Sequence, residues 1–581
     1  MKIPKTRRGR VGIAAVVALA MSMLAGGAVL SPAAAADPEP PCGQGATSPA
    51  FNQFVDEAAQ PPVATPDGRN HYTLTAHLGS HSFQSGKPAV PTLGYSTANA
   101  AVDYLGPTIV TKKGTPVDVK IVNALPGAGT PMFPFDQPNN NNAVVMHRHG
   151  GLQKVESDGT PSQFVAPGTS RTNHYPNNQA AAPLWYHDHA DMTTSYSVYE
   201  GLAGFMPNTD NIEPTFNLPS GNFSRAYVLQ DKSFNGDYSL CYTHASPEFF
   251  GDTPVVNGTV SPKQTVEPRR YTFTFVNGSD SRFYHLTLKP ATATSGATGT
   301  SDKAPKMTVV GSDSGYLYKP AKVNDLLIAP GERYKVVVDF THRTGSWVLS
   351  NDAATPYPAG DPSVAAIPQI MRFDVGSKVT SKDKSSIPDK LKETNNDQPA
   401  VSFLDRARLR TVQAAEPADM PGMPLLGNST SLLQFTDPPT ETPQLGSTEA
   451  WALRNHSPDA HPIHEHLVEM YLVGRWPVTQ WSEQDATGSA VPLAVGAFQP
   501  AGAYESGPKD TFVSPPDTIT VWAAKYTIGT DGVSVWHCHI LSHEDNAMAP
   551  MMRPLAVGTT PQTQLPKVGS FKKLDALIRQ P

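Results

Sequence analysis

The sequence predicts an all-β protein built from several Greek-key barrels or sandwiches, on three observations. Proline is abundant, 57 of 581 residues, and a residue without a backbone donor is confined to turns, loops and strand edges. Short runs alternating apolar and polar residues recur at 72–76, 108–122, 143–149, 224–230, 271–276, 334–340, 450–454, 518–523 and 534–539, and period-two alternation marks strands with one buried face. Clusters of Gly, Pro, Asn and Asp separate these runs, as at 126–142 and 436–443, while long amphipathic helical patterns are nearly absent.

In chain order, the first 36 residues read as an export signal. Lys2, Lys5, Arg7, Arg8 and Arg10 precede an apolar stretch at 11–30, and Ala34, Ala35 and Ala36 stand before Asp37. Basic, apolar and small residues in that order define such a signal. The Arg7-Arg8 pair hints at the twin-arginine route, although Arg10 replaces the usual bulky apolar residue. The expected location is secreted or cell-envelope. No other stretch is apolar and long enough to span a bilayer, so no stable membrane association is expected once the signal is removed.

Composition shifts at 208–221 and 376–399 set the expected boundaries. Domains are expected at 37–212, 213–378 and 400–558, with a linker at 379–399 and a surface tail at 559–581. The net charge of -6 and a charged fraction of 17% come without a basic stripe, which argues against a nucleic-acid partner. Three cysteines are present, Cys42, Cys241 and Cys538. An exported chain can join the first two, but spacing alone leaves that pairing open. Oligomeric state is not encoded in any feature of the sequence.

Ten of the eighteen histidines fall in four short segments: His147-Arg148-His149, His187-Asp188-His189, His461-Pro462-Ile463-His464-Glu465-His466, and His537-Cys538-His539 with His543 following. A tetrahedral zinc site uses at most four ligands, so this many paired imidazoles call for several metals. Residues two apart in a strand face the same way and neighbours face oppositely. His537 and His539 therefore share a face, and Cys538 faces the other. His464 and His466 likewise share a face, and His461 can turn to the opposite one. Cys538, His461, His543 and an axial Met548 then make a His2Cys site with a thioether, the pattern of blue, electron-transfer copper. The remaining eight histidines suit three further coppers bridging the first and last domains. His147 and His464 are assigned to an isolated copper, and His149, His187, His189, His466, His537 and His539 to a coupled pair. The expected complement is four copper ions per chain: one of type 1, one of type 2 and two of type 3.

These segments, with HYPNNQ at 174–179, LWYHDHA at 184–190, GDTPVVNG at 251–258, LLIAPGERY at 326–334, HPIHEHL at 461–467 and HCHILSHED at 537–545, resemble the three-domain multicopper oxidases. The likeness is strongest to bacterial spore-coat laccases and bilirubin oxidases, and it covers about 68–557. It implies three cupredoxin-like domains, the middle one without copper, and one-electron oxidation of small reducing substrates coupled to four-electron reduction of O2 to water. The middle region holds only His244, His285 and His342, which read as surface or packing residues. Asp158 matches a family acid near the water-exit side of the cluster, and Glu544 one that supplies protons. Reduction of dioxygen to water consumes protons, so an acid near the cluster is chemically required.

Two features depart from the family pattern. Arg148 sits between the first ligands, pointing away from copper by alternation, and is expected to tolerate substitution. Met551 and Met552 follow Met548 and read as packing methionines. Three activities are consistent with the sequence: a laccase-like oxidase of phenols, aromatic amines or bilirubin-like pigments; a cuprous-ion oxidase using Met420 and Met423; and a non-enzymatic copper-binding coat protein. Filled ligand positions speak against the third. The loops around the edge of His543 set specificity and carry no readable code.

Overall fold

Alternation along the chain becomes one-sided burial in a computed structural model describing residues 47–127, 142–243, 247–291, 303–391, 399–417, 420–530, 533–546 and 548–580. Strand Val117–Asn123 alternates buried and half-buried residues without a break. It pairs in parallel with strand His71–His81, Leu74 opposite Ile121, so Leu74, Ala76, Val119 and Ile121 enter one apolar core. The export segment at 1–36 lies outside the described residues, as do Cys42 and His244. Cys241 is disulfide-bonded, and Cys538 is a buried free thiol.

Residues 41–581 form one compact unit. In the first third, a four-stranded sheet holds strands Val90–Ser96, His71–His81, Val117–Asn123 and Ser170–Tyr175 in that order. A three-stranded sheet holds Met146–His149, Trp185–Asp188 and Ala203–Phe205. The middle third contributes an eight-stranded and a five-stranded sheet around a core in which Phe273 stacks on Phe373 beside Phe340. The last third contributes a seven-stranded and a four-stranded sheet, with Trp451, Trp522 and Trp536 at its centre. Described α-helices number four, none longer than eight residues, as an all-β reading requires. Among the described residues no helix is long and apolar enough to cross a membrane.

One expectation is corrected here. The 559–581 tail does not merely lie on the surface: helix Phe571–Ile578 buries Leu574 and Ile578 against Trp476 and Ile519. Asp575 accepts the Trp476 indole N–H at 2.7 Å. Leu574 and Ile578, four apart, form an apolar stripe on one helix face, a pattern too short to stand out among the lysines around it.

Candidate metal centres

Strand register sorts the histidines. Strand His461–Glu465 runs antiparallel to Ser534–Cys538, with Ile463 opposite Cys538 and His464 opposite His537. Directly opposed residues share a sheet face, so His464 and His537 lie on one side. His461 and Ile463 lie on the other, with Cys538. Strands Met146–His149 and Trp185–Asp188 pair with His147 opposite His187 and Arg148 opposite Tyr186, which gathers the early ligands on a single face.

The Cys538 centre is a compact triad. The thiol Sγ lies 3.6 Å from His461 Nδ1 and 3.7 Å from His543 Nδ1, and all three residues are buried. Burial pushes the Cys538 thiol well above its ordinary range and His543 down to about 3. The imidazoles are thus neutral lone-pair donors, and the sulfur needs a cation to be a thiolate. The N–H of Ile540 points at Sγ from 3.5 Å, and Ser457 Oγ lies 2.7 Å from His461 Nε2, fixing that ring.

Met548 does not join this triad. Its side chain is 64% exposed, whereas Met551 is fully buried in the apolar cluster that contains Cys538. The Met551 N–H donates to His543 O at 2.8 Å, and its carbonyl accepts from Cys538 N at 3.0 Å. The choice by spacing is therefore corrected. Met548 sits on the outer side of a turn in which its N–H donates to Asn546 Oδ1 at 3.0 Å, and the chain returns to the centre only at Met551.

The other eight histidines converge in a second buried cluster. His149 Nδ1 lies 3.4 Å from His187 Nε2 and 3.2 Å from His539 Nε2. His466 Nε2 lies 3.2 Å from both His189 Nε2 and His537 Nε2. These are two trios, each drawn from the first and last thirds. His147 and His464 complete the set: each Nε2 is buried with no hydrogen-bond partner, while each Nδ1 meets a main-chain carbonyl, Asp158 O at 2.7 Å and Asp510 O at 2.8 Å. Burial lowers both rings well below the usual histidine range, so the unpaired nitrogens are lone pairs. Converging buried lone pairs are costly unless a cation satisfies them.

Both acids singled out in the sequence touch the cluster. Asp158 Oδ2 accepts from His466 Nδ1 at 2.7 Å, and burial pushes its carboxyl up to about 8. Glu544 reaches His189 Nδ1 at 2.8 Å and His537 Nδ1 at 3.1 Å. Burial works upward on Glu544, but His189 and His537 outweigh it and hold the carboxyl well below its ordinary range. Arg148 points away from the cluster as expected, yet it is buried. It donates to Asn177 Oδ1 at 2.6 Å and Thr111 Oγ1 at 3.0 Å, so tolerance to substitution is not expected.

Two carboxylates were missed from the sequence. Asp510 lies 3.0 Å from His149 Nε2; its only local signal is its place before strand Thr511–Ser514, which pairs with His461–Glu465. Glu248 Oε1 lies 3.8 Å from His543 Nε2, and no local signal marks it. Of the middle-region histidines, His285 lies at the surface beside Asp352 and Asp325, and His342 is exposed. Met420 and Met423 are half-buried on a loop whose Gly422 N–H donates to Glu416 at 2.9 Å.

Comparison with known proteins finds likeness to the multicopper oxidases. Profiles of the multicopper oxidase family match residues 136–210, 242–367 and 404–555. The chain is 33% identical over 550 residues to a laccase of Bacillus subtilis (strain 168), covering 87% of this chain and 99% of that one. It is 32% identical over 524 residues to the multicopper oxidase LPR1 of Arabidopsis thaliana, covering 82% and 86%. A solved multicopper oxidase, McoA of the hyperthermophile Aquifex aeolicus, superposes with a TM-score of 0.67 at 24% identity, over 87% of this chain and 100% of that one, a likeness of fold.

Proposed function

This chain belongs to the multicopper oxidase family, and from that premise we propose that it oxidises phenols, aromatic amines or bilirubin-like pigments by one-electron steps at the Cys538 centre and reduces O2 to water at the eight-histidine cluster. It is a laccase-like oxidoreductase with the family's strand-built cupredoxin architecture. One observation carries the reading. Cys538 belongs to one centre while its neighbours His537 and His539 belong to the two trios of the other, so a single peptide unit on each side joins the donor site to the oxygen site.

The residues fit copper by donor chemistry. A His2Cys set with a buried thioether suits a blue copper, and neutral imidazoles suit the rest. On this reading His461, Cys538 and His543 would hold the first ion, with the buried Met551 thioether in the same apolar cluster available to it. His147 and His464 hold the second, and the two trios hold a pair. Bound there, copper supplies one-electron redox chemistry and dioxygen activation.

The remaining steps belong to the chain itself. Cys538 is fully buried and His543 is 3% exposed, so on this reading an electron enters through the Nε2 edge of His543, which faces Glu248. The Glu544 carboxylate lies beside Nδ1 of both His189 and His537, and the Cys538 carbonyl meets His537 Nδ1 at 3.0 Å, an arrangement that favours rings with Nε2 aimed inward. That carboxylate stands where protons must reach reduced oxygen. Asp158 does the same for His466 from the opposite side. A second reading, oxidation of a reduced metal ion such as Cu(I), is favoured by Glu248 beside His543, because an acid that burial holds protonated gains by losing its proton as a cationic reductant approaches. Oxygen uptake by copper-loaded protein, measured with a phenol and then with Cu(I), tests both. Faster turnover of the phenol supports the laccase reading and the reverse order the second; uptake with neither, or far fewer than about four coppers per chain, would discard both.

A further inference from the structure

Two aspartates stand on either side of the eight-histidine cluster in matching positions. The carbonyl of Asp158 meets Nδ1 of His147, and its carboxylate reaches His466. The carbonyl of Asp510 meets Nδ1 of His464, and its carboxylate reaches His149. Each aspartate thus holds one histidine from its own third of the chain and one from the other third. Their further partners differ. Asp158 takes the neutral amide of Gln153 at 2.7 Å. Asp510 takes both arms of Arg333, Nη1 at 2.5 Å and Nη2 at 2.6 Å, and the hydroxyl of Ser314 at 3.0 Å.

Arg333 and Ser314 come from the middle third, which among the described residues supplies none of the candidate metal-binding side chains. Arg333 is itself pinned from several directions. Its Nε donates to Pro183 O at 3.1 Å in the first third, Nη1 to Gly331 O at 3.1 Å, and Nη2 to Asp313 O at 2.9 Å. The Arg333, Asp510 and Ser314 side chains are all buried. A bidentate guanidinium–carboxylate pair fixes direction as well as charge. Gly150, next to His149, leaves room for it: a Cβ there would collide with Asp510 Oδ2 and Arg333 Nη2.

His149 is also unusual among the six trio histidines. The other five turn Nε2 toward the shared point, whereas His149 turns Nδ1. Its Nε2 is the atom that meets Asp510. We propose that Arg333 is a positioning residue for the oxygen-reducing cluster: by locking the Asp510 carboxylate it sets the reversed ring orientation of His149, and through the Asp510 carbonyl it holds His464. The middle third, without ligands of its own, would then govern the geometry of the cluster. This inference rests on the copper reading of the eight histidines.

The test replaces Arg333 by Lys, which keeps the charge but cannot offer two parallel N–H donors. Copper retention is titrated with a competing chelator, and the isolated-copper signal is read by electron paramagnetic resonance. Removing an outer partner of a ligand typically weakens metal binding by roughly 10–100-fold. Because Arg333 acts one residue further out, through Asp510, the expected result is a loss at the low end of that range, about tenfold, in cluster copper and an altered isolated-copper signal, with the blue absorption of the Cys538 centre unchanged. Arg282→Lys is the control. Arg282 forms an equally buried pair with Asp231 at 2.8 Å in the same third and touches none of the candidate ligands, so it should lower the melting temperature without releasing copper. If R333K misfolds, Ser314→Ala removes one donor to the same carboxylate and should show a smaller loss in the same direction. Copper retention in the folded variant equal to wild type, or an equal loss in R282K, overturns the proposal. Wild-type protein that binds no cluster copper would instead overturn the reading beneath it.

Discussion

Met548 and Met551 are three residues apart, yet one is 64% exposed and the other fully buried. A weak axial thioether tunes a blue copper, so Met551→Leu should raise the potential of the Cys538 centre and Met548→Leu should leave it unchanged. Voltammetry of the two variants decides, and a shift in the Met548 variant alone would restore the choice by spacing. Glu248 belongs to the same scale. Burial, with Asp459, Asp280 and Glu416 nearby, pushes its carboxyl well above the ordinary range, a cost that an approaching cation relieves. Glu248→Gln should therefore lower kcat/KM for a cationic aromatic amine relative to an anionic donor by about tenfold, ~1.4 kcal/mol. Equal effects on both donors would remove charge selection. Glu544→Gln keeps the side chain's shape and one acceptor oxygen but loses the acid. It should preserve the blue absorption and slow turnover by about 10²–10⁴-fold, the contribution usual for general acid–base catalysis. Unchanged turnover across pH would take Glu544 out of proton delivery.

Short elements, more than long ones, aim these groups. Helix Leu541–Glu544 carries both His543 and Glu544, and its first turn is held by Asp280, whose carbonyl accepts Leu541 N at 3.1 Å and whose carboxylate accepts Ser542 N at 3.3 Å. That helix thus depends on a side chain from the middle third. The turn at 329–333 is a second such contact. Gly331 adopts a φ of +81° there, and a Cβ would lie 2.7 Å from the His539 ring. Gly331→Ala combines a left-handed backbone cost of about 1–2 kcal/mol with a clash against a candidate copper ligand. It should lose cluster copper by elemental analysis while retaining secondary structure by circular dichroism. Full copper content would show that the turn can give way.

At the scale of the whole molecule, the eight cluster histidines come equally from the first and last thirds. Bound copper therefore ties together segments far apart in the chain, such as His189 and His466, separated by 277 residues. Metal that binds only the folded state adds to its stability by mass action. Removing copper with a chelator should lower the melting temperature by roughly 10 °C or more, and calorimetry showing equal temperatures with and without metal would refute that coupling. The sequence by itself determined the all-β class, the paired histidines and the opposed faces around Cys538, because strand parity is a local property that residues one and two apart reveal without any distant partner. It also made Asp158 and Glu544 legible, since each lies close in sequence to a candidate ligand. Only the tertiary structure decided which methionine returns to the Cys538 centre, that the C-terminal helix is packed against Trp476, and that Arg148 is buried and bonded. The same holds for Glu248, Asp510 and Arg333. Their partners lie far away in the chain, and a contact that depends on how loops close and sheets meet leaves no periodic trace in the residues around it.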